Sequence, residues 1–372
     1  MLKAVVPTTF GVFLISGFGA YLSHKQIINK QLTSQLSCLT ENLFIPALIF
    51  TNFLKSLTLE TIYMYIPCII ITLLCLIFGY IAGILSNKYW IKEKSLNSVI
   101  ILASANPHTT NLQLQLCYGL SSWFSLMTGQ PEKQIEAILV TTVIIQTVVV
   151  TSIRWTIGRS ILEQQENSQN DLEMTNLSVP QQHQLNLPLF IQQPSKNEND
   201  QQKKTFWNAP LCAALVSIIF ICIPTVQNTL LQNQIIYNAI FVPLSTISRA
   251  TSPIILLILG SSLYQIYFAN QERTEKYSTI LYIVFNRLLL MPIIGLLIVM
   301  FVHNQKIIDD QCQLFMLFLT FCTPPSINIL LMAKQYLQSA EEIVAVILLN
   351  SYLLSIITLP LWMITYLMIF FI

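Results

Sequence analysis

The stretch ANPHTTNLQLQ, residues 105–115, places a proline, a histidine, two threonines and two asparagines inside an otherwise apolar segment. Far downstream, TPPSINILLMA, residues 323–333, repeats the pattern Pro-x-[Ser/Thr]-x-Asn-[Leu/Ile]-x-Leu. Proline removes a backbone donor and clashes with the preceding turn, so each stretch predicts a broken helix. The small polar residues that follow are suited to cap the next helix. The chain therefore interrupts two apolar segments in the same way.

The composition indicates that lipid is the solvent of this chain. Of its 372 residues, 54% are hydrophobic and 10% are charged, whereas a soluble domain carries about 25% charged residues. A net charge of +2 without any basic run predicts no nucleic-acid partner. The eight cysteines have no metal-ligand spacing, so we expect neither a metal nor a cofactor.

Ten segments are long and apolar enough to cross a bilayer, which takes roughly 20 helical residues. The connection at 158–204 is rich in Gln and Asn and is predicted to be a disordered linker. It separates residues 1–157 from residues 205–372, with five segments on each side. The segments are 4–22, 36–56, 63–86, 97–119, 135–157, 205–227, 236–266, 277–303, 313–333 and 341–371.

The two halves are predicted to be inverted repeats, because five spans reverse the side from which the second half enters. Pro67 in the third segment matches Pro292 in the eighth, and FIPALIF (44–50) resembles TSPIILL (251–257). The broken segments are the fourth and the ninth. Matched interruptions of this kind point to the substrate site of a transporter. The predicted fold is an all-α integral membrane protein with ten helices, of which helices 4 and 9 are broken and cross.

The Lys and Arg residues set the predicted orientation. Most lie in the loops after the odd-numbered segments, including Arg154, which we count with the linker. Cytoplasmic loops carry the excess of basic residues. We therefore expect a cytosolic linker and two termini on the lumenal or extracellular side.

Crossing breaks predict a site for a small anion. Each break exposes a helix N-terminus worth about half a positive charge. The matched Asn111 and Asn328 are expected to contact a carboxylate as well as freed backbone groups. The candidate substrate-binding residues are Asn106, His108, Thr110, Asn111, Ser326 and Asn328, and the helix-breaking residues are Pro107, Pro324 and Pro325.

Two ionisable side chains in these segments each leave two interpretations open. His108 is expected to be neutral, because a helix N-terminus disfavours imidazolium; it either lines the site or makes it pH-dependent. Arg287, in the eighth segment, either bonds backbone carbonyls at the crossover or extends to the membrane interface. No Asp or Glu is expected deep in a span, so the sequence shows no carboxylate for a coupling ion.

Residues 321–362, FCTPPSINILLMAKQYLQSAEEIVAVILLNSYLLSIITLPLW, resemble the C-terminal signature of the auxin efflux carrier family, in particular its PIN-like branch. NLFIPALIFTNFLKSLT (42–58), TSPIILLILGSSLYQ (251–265) and NRLLLMPIIG (286–295) resemble its spans 2, 7 and 8. Two departures from the family pattern stand out: Gln113 replaces an expected proline, and His108 is atypical.

The resemblance implies a scaffold made of spans 1, 2, 6 and 7, and a transport domain made of spans 3–5 and 8–10 that moves like an elevator. It also implies that the family's crossover asparagines correspond to Asn106 or Asn111 and to Asn328. The branch favours the endoplasmic reticulum over the plasma membrane, and a homodimer is a further expectation.

The resulting hypothesis is a carrier, not an enzyme, for a small organic anion such as the auxin indole-3-acetate. Its expected partners are that anion and the lipid bilayer. Two alternatives stay open. One is a sodium- or proton-coupled symporter of the bile-acid-carrier type, and the other is a non-transporting membrane scaffold or regulator that acts through the linker.

Overall fold

The computed structural model describes residues 2–91, 96–109, 111–177, 209–269 and 277–371. Within these ranges the regular structure is helical, apart from one antiparallel bridge between Pro107 and Pro325. Seven helical stretches among the described residues are long and apolar enough to cross a membrane. They become eight if a pair bent by 101° counts as one span. The chain is therefore a multi-pass integral membrane protein.

Every predicted segment contains helix. In the first half the α-helices are α1 (Leu2–His24), α2 (Lys30–Leu39), α3 (Ile45–Ser56), α4 (Ile66–Ser86), α5 (Asn97–Ala105), α6 (Asn111–Thr128), α7 (Glu132–Ile153) and α8 (Arg159–Leu177). In the second half they are α9 (Ala209–Cys222), α10 (Pro224–Gln232), α11 (Gln234–Ile236), α12 (Val242–Arg249), α13 (Thr251–Ala269), α14 (Tyr277–Phe285), α15 (Met291–Asn304), α16 (Gln311–Cys322), α17 (Asn328–Tyr336) and α18 (Glu341–Phe371).

Several of these α-helices are joined without a loop by π-helical turns. A π turn replaces the i→i−4 hydrogen bonds of an α-helix by i→i−5 bonds over one turn. It can therefore accommodate a residue that does not fit the α-helical hydrogen-bond pattern. The described π turns are Thr40–Phe44, Asn87–Ile91, Arg154–Gly158, Tyr237–Phe241 and Asn286–Leu290.

Three of these turns have an identifiable cause in proline. Pro46, Pro243 and Pro292 each follow a π turn as the second residue of the next α-helix. Because proline has no N–H, the carbonyl four residues earlier loses its partner. For Pro292 that carbonyl belongs to Leu288, and the indole Nε1 of Trp362 donates to it at 2.9 Å. Protein thus covers the freed backbone group, as the membrane requires.

The two predicted helix breaks are present. α5 ends at Ala105 and α16 ends at Cys322. The next residues, Asn106 (φ −94°, ψ 102°) and Thr323 (φ −73°, ψ 146°), are extended. Each stands directly before a proline, which disfavours the α conformation in the residue it follows. Sequence chemistry therefore fixes where both helices stop.

Two expectations need correction. The prediction of disorder from residue 158 was wrong for Arg159–Leu177, which form α8 as a continuation of the seventh helix. The rest of the predicted linker, 178–204, lies outside the described residues. The sixth segment, predicted as one span over 205–227, bends by 101° between α9 and α10. The bend falls just before Pro224, which opens α10 and cannot donate to α9.

The helices pack in two groups. α1 lies along α13, and α3 packs on α9 and α12. Gln265 ties this first group together, because its Nε2 lies 3.1 Å from Ser23 Oγ, 3.0 Å from Thr33 Oγ1 and 2.9 Å from Ser261 Oγ. In the second group α4 packs on α5, α15 on α16, and α7 on α4, α6 and α16. The broken helices belong to this second group.

Gly79 and Gly83 bring α4 against α5 at the first break. A Cβ atom on Gly79 would lie 2.6 Å from both Ser104 O and Ala105 Cα, and one on Gly83 would lie 2.7 Å from Ile101 Cα. Small residues four apart allow this close approach between membrane helices. Packing at these glycines positions the end of α5.

Replacing Gly79 with alanine is expected to lower the free energy of unfolding by about 1–3 kcal/mol, because the new methyl group overlaps backbone atoms that cannot rotate away. The measurement is the heat-induced unfolding midpoint of the purified protein. Gly17→Ala is the matched control, since no atom of the described residues outside the adjoining turns of its own helix lies within 4 Å of a Cβ at Gly17. Equal midpoints for the two variants would contradict the close approach.

Candidate substrate site at the helix crossover

The two helix breaks cross as a short antiparallel pair. His108 N donates to Pro324 O at 2.9 Å, and Ser326 N donates to Asn106 O at 3.0 Å. These two hydrogen bonds satisfy four backbone groups that the breaks remove from helices, which membrane depth makes necessary. The structure thus brings together the two motifs that share one sequence pattern.

The crossover is closed to solvent. Asn106 and His108 are 3% and 4% exposed, Ser326 is 4% exposed, and Pro107, Pro324 and Pro325 are also buried. Asn106 Nδ2 donates to Leu102 O at 3.1 Å, so this side chain caps the end of α5. Its Oδ1 has no hydrogen-bond partner among the described residues.

The predicted asparagine pair begins the two helices that follow the breaks. Asn111 is the first residue of α6, and Asn328, which is partly buried, is the first residue of α17. The first turn of a helix has unpaired N–H groups and a partial positive charge. Both helices therefore begin next to the crossing. Thr110 and the surroundings of the Asn111 side chain lie outside the described residues.

Arg287 bonds backbone carbonyls at the crossover, which decides between its two interpretations. Its Nε donates to Thr323 O at 2.8 Å, its Nη2 to Thr320 O at 2.7 Å, and its Nη1 to Ser104 O at 3.4 Å. The side chain is fully buried. These carbonyls lie at the C-terminal ends of α5 and α16, where the helix dipoles are negative. Arg287 thus neutralises the two helix ends and is occupied in doing so.

A second buried arginine was missed in the sequence. Arg154, which charge counting placed with the cytosolic linker, is only 3% exposed and lies in the π turn Arg154–Gly158. Its Nη2 contacts Pro107 O at 3.4 Å, and its Nε has no partner in the described part of the chain. The signal was available: this arginine stands in TSIRWTIG, within apolar helix rather than in a polar turn.

One acidic side chain of a predicted span interacts with Arg154, although no Asp or Glu was expected deep in a span. Glu41, in the π turn Thr40–Phe44 of the second predicted segment, interacts electrostatically with Arg154. The two side chains do not form an ion pair within 4.0 Å among the described contacts. Glu41 is partly buried and belongs to the helices that pack with α9. It therefore belongs to the first helix group, whereas Arg154 belongs to the second.

His108 is held by a tyrosine from the last helix. Its Nδ1 lies 2.7 Å from Tyr352 Oη, and the two rings meet edge to face at 5.8 Å. The Nε2 of His108 has no partner among the described residues. Tyr352 is also buried, with 2% of its surface exposed. Sequence reasoning could not identify this partner, because Tyr352 lies in an apolar helix far along the chain.

Buried polar atoms without partners concentrate around this crossing. Few such atoms stay without a protein, water or ligand partner in a native protein, and each costs about 1–3 kcal/mol when it does, so a cluster marks a place where water or a ligand would bind. Those near the crossing are Ser104 Oγ, Asn106 Oδ1, His108 Nε2, Thr109 Oγ1 and Arg154 Nε.

One surface groove among the described residues lies elsewhere. It holds about 500 Å³ along α1 and is lined by Phe10, Phe13, Leu14, Gly17, Phe18 and Tyr21. An exposed aromatic face of this kind suits lipid tails, and its lining offers no charge to an anion. The polar crossover is therefore the better candidate for an anion site.

Comparison with known proteins agrees with this architecture. A family model described as membrane transport protein matches residues 4–363. The chain belongs to this family. The resemblance to the auxin efflux carriers and their PIN-like branch is confirmed as well. This family member is a membrane transporter of the auxin-efflux type.

The similar curated proteins are PIN-like proteins of Arabidopsis thaliana. Protein PIN-LIKES 1 is 22% identical over 370 residues, which cover 94% of this chain and 76% of that protein. Protein PIN-LIKES 5 is 24% identical over 53% of each chain, and Protein PIN-LIKES 7 is 27% identical over 41% of this chain and 38% of its own length. The similarity to Protein PIN-LIKES 1 thus extends along nearly the whole of this chain.

Proposed function

We propose that this transporter carries a small organic anion, such as indole-3-acetate, with the substrate carboxylate at the crossover. The observation that supports this most is the buried bridge between Pro107 and Pro325, after which α6 and α17 begin within four residues. Two helix N-termini favour an anion without a dedicated coupling ion. When an anion leaves a negative cytosol, its free energy falls by about 2.3 kcal/mol per charge for each 100 mV of membrane potential. This free-energy change suffices to drive efflux.

The ten-span inverted repeat belongs to the same proposal. Seven apolar helices, the bent pair α9–α10 and the two broken pairs α5–α6 and α16–α17 would make ten spans. Three features recur in both halves. Each half has a broken helix, and each has an α-helix whose second residue is proline, Pro67 in the first half and Pro292 in the second. Each half also has a π turn that ends at a Phe and is followed by one residue and then a proline. The position of the π turns pairs Pro46 with Pro243, whereas the resemblance between FIPALIF and TSPIILL had paired Pro46 with Pro253.

An elevator movement is the proposed mechanism. It is supported by the packing of spans 1, 2, 6 and 7 in one group and of the crossover helices in another. The crossover would then move as a unit past the scaffold, carrying the bound anion. The closed, solvent-excluded crossing fits a site that opens only through such a movement.

The orientation and location of the transporter are also proposals. The distribution of Lys and Arg supports lumenal or extracellular termini and a cytosolic linker, and moving Arg154 from the linker to the interior leaves the bias in the same direction. The family resemblance drawn from the sequence favours the endoplasmic reticulum over the plasma membrane, and a homodimer stays an expectation.

A proton-coupled symporter is the second candidate, because Glu41 interacts with Arg154 across the two helix groups. A carboxylate in that place could carry a proton in step with the substrate. Dependence of transport on an imposed pH gradient, lost in Glu41→Gln, would favour this candidate; dependence on sodium would favour the sodium-coupled form. Any uptake at all argues against a non-transporting scaffold.

Asn328→Ala and Asn111→Ala are each expected to lower the uptake of radiolabelled indole-3-acetate into proteoliposomes at least about tenfold, because a hydrogen bond to a charged group contributes about 1.5–3 kcal/mol. Asn52→Ala is the control, since the one bond of Asn52 Nδ2 in the described part of the chain goes to Leu48 O of its own helix. Wild-type uptake by both crossover variants, at equal amounts of protein, would exclude the crossover as the site.

A further inference from the structure

We propose that Arg154 is the counter-charge for the transported carboxylate, and that His108, held by Tyr352, donates a second hydrogen bond to it. The site would then select a monocarboxylate over the corresponding neutral amide. This inference rests on the proposed function and adds the groups that recognise the substrate. Arg154 was not among the residues from which the site was predicted, whereas His108 was a candidate whose role had been left open.

The two buried arginines differ in how their donors are used. Arg287 donates to three carbonyl oxygens, at 2.8, 2.7 and 3.4 Å. Arg154 is as deeply buried, but it has a single contact of 3.4 Å to Pro107 O, and its Nε has no partner among the described residues. A buried charge is costly unless an opposite charge or hydrogen bonds compensate it. Arg287 therefore has a structural role, while Arg154 has donors available for an anion.

The buried positive charge of Arg154 is only partly compensated by other groups. Glu41 lies within electrostatic range but forms no ion pair with it among the described contacts, and His108 and Tyr352 are also within that range. A carboxylate bound at the crossover would supply the missing contact. When substrate is absent, Glu41 balances part of the charge from the opposite helix group.

The hydrogen bond to Tyr352 determines which nitrogen of His108 can donate. The phenol Oη of Tyr352 has one hydrogen-bond partner among the described residues, His108 Nδ1 at 2.7 Å. A buried phenol donates its proton where an acceptor is present, so Nδ1 accepts and the proton of the neutral ring lies on Nε2. That Nε2–H has no partner in the described part of the chain. Tyr352 thus fixes His108 as a donor.

The two donors converge on the first break. Arg154 contacts the carbonyl of Pro107, and His108 is the next residue, with its backbone N–H bonded to Pro324 O. A carboxylate has two oxygens, so one can accept from the guanidinium and the other from the imidazole. Asn106 Oδ1 and Thr109 Oγ1, also without partners among the described residues, can meet a donor elsewhere on the substrate. An acid whose body carries a hydrogen-bond donor, such as the indole N–H of indole-3-acetate, fits this arrangement.

The test is the binding of indole-3-acetate and of its neutral amide to the purified full chain. Wild type is expected to prefer the acid by at least about 30-fold, the lower end of what truncating a buried charge partner costs. Arg154→Gln should lose that preference, with the amide bound within about threefold of wild type. Tyr352→Phe should weaken acid binding by about tenfold, because the tautomer is no longer fixed. Arg159→Gln, which removes a partly exposed pair with Glu163, should bind both ligands as wild type does.

The outcomes separate this inference from the proposed function. Equal binding of acid and amide by wild type, which needs no variant, would overturn the role of Arg154 while leaving a carrier. An equal loss of both ligands in a folded Arg154→Gln protein would overturn it as well. If that variant does not fold, the inference is decided by two other results: the ratio of acid to amide binding by the wild-type protein, and the acid binding of Tyr352→Phe. Failure of wild type to bind either ligand would instead contradict the proposed function itself.

Discussion

Replacing Arg287 with glutamine is expected to lower the free energy of unfolding by about 3 kcal/mol or more, since hydrogen bonds to a charged group contribute about 1.5–3 kcal/mol each. The change removes the Arg287 donors from Thr320 O, Thr323 O and Ser104 O at the ends of two broken helices, and Thr320 O keeps the Thr323 hydroxyl at 3.3 Å among the described contacts. Because no water replaces the lost donors at that depth, both breaks should lose their position together. The midpoint of heat-induced unfolding should fall by roughly 5 °C or more.

The matched control is Arg159→Gln, the same chemical change at a partly exposed site. Arg159 Nε pairs with Glu163 Oε1 at 2.7 Å within α8, with both side chains partly open to solvent. Exposed pairs contribute about 0–1 kcal/mol, so the midpoint should hardly move. If Arg287→Gln unfolds at the wild-type temperature, Arg287 does not hold the crossover, and the description of the two helix ends fails.

Cross-linking α1 to α6 is expected to stop transport completely. Thr8 Oγ1 donates to Gly119 O at 3.1 Å, and a Cβ atom on Gly119 would lie 3.0 Å from Thr8 Cβ. Cysteines at these two positions can be joined with a small outward shift, since disulfides need about 3.5–4.5 Å between Cβ atoms. The bond would tie the proposed scaffold to the proposed transport domain. Uptake should disappear on oxidation and return on reduction.

The control pair lies inside the proposed scaffold. Thr33 Oγ1 and Ser261 Oγ are 3.0 Å apart and join α2 to α13, so cysteines there should form a disulfide without affecting uptake. Wild type, with its eight native cysteines, is treated with the same oxidant for comparison. Continued uptake by a fully cross-linked Thr8→Cys, Gly119→Cys protein would rule out movement between the two groups.

The sequence predicts those features of the structure that depend on local chemistry. The ends of α5 and α16 follow from Asn106 and Thr323 standing before proline, and this effect needs no tertiary context. The pairing of the two breaks followed from a shared pattern, which only the whole chain could display. The carbonyl-bonding role of Arg287 was one of two open interpretations, because its partners come from two other helices.

Features that depend on packing were not accessible in this way. Arg154 was placed in the linker because a charge normally marks the end of a span, whereas the helix continues through a π turn into α8. The contact of Tyr352 with His108 depends on how α18 lies against the first break. Residues 159–177 have a polar composition typical of disorder, yet they continue an existing helix, which avoids the cost of nucleation.

The most direct test of the central claim is an experimental structure of the protein with indole-3-acetate bound. The account predicts the carboxylate at the crossing of the two breaks, within hydrogen-bond distance of groups on both, including the first turns of α6 and α17. It also predicts contacts from Arg154 and His108. A ligand seated elsewhere, for example in the apolar groove on α1, with the crossover unchanged, would contradict the account.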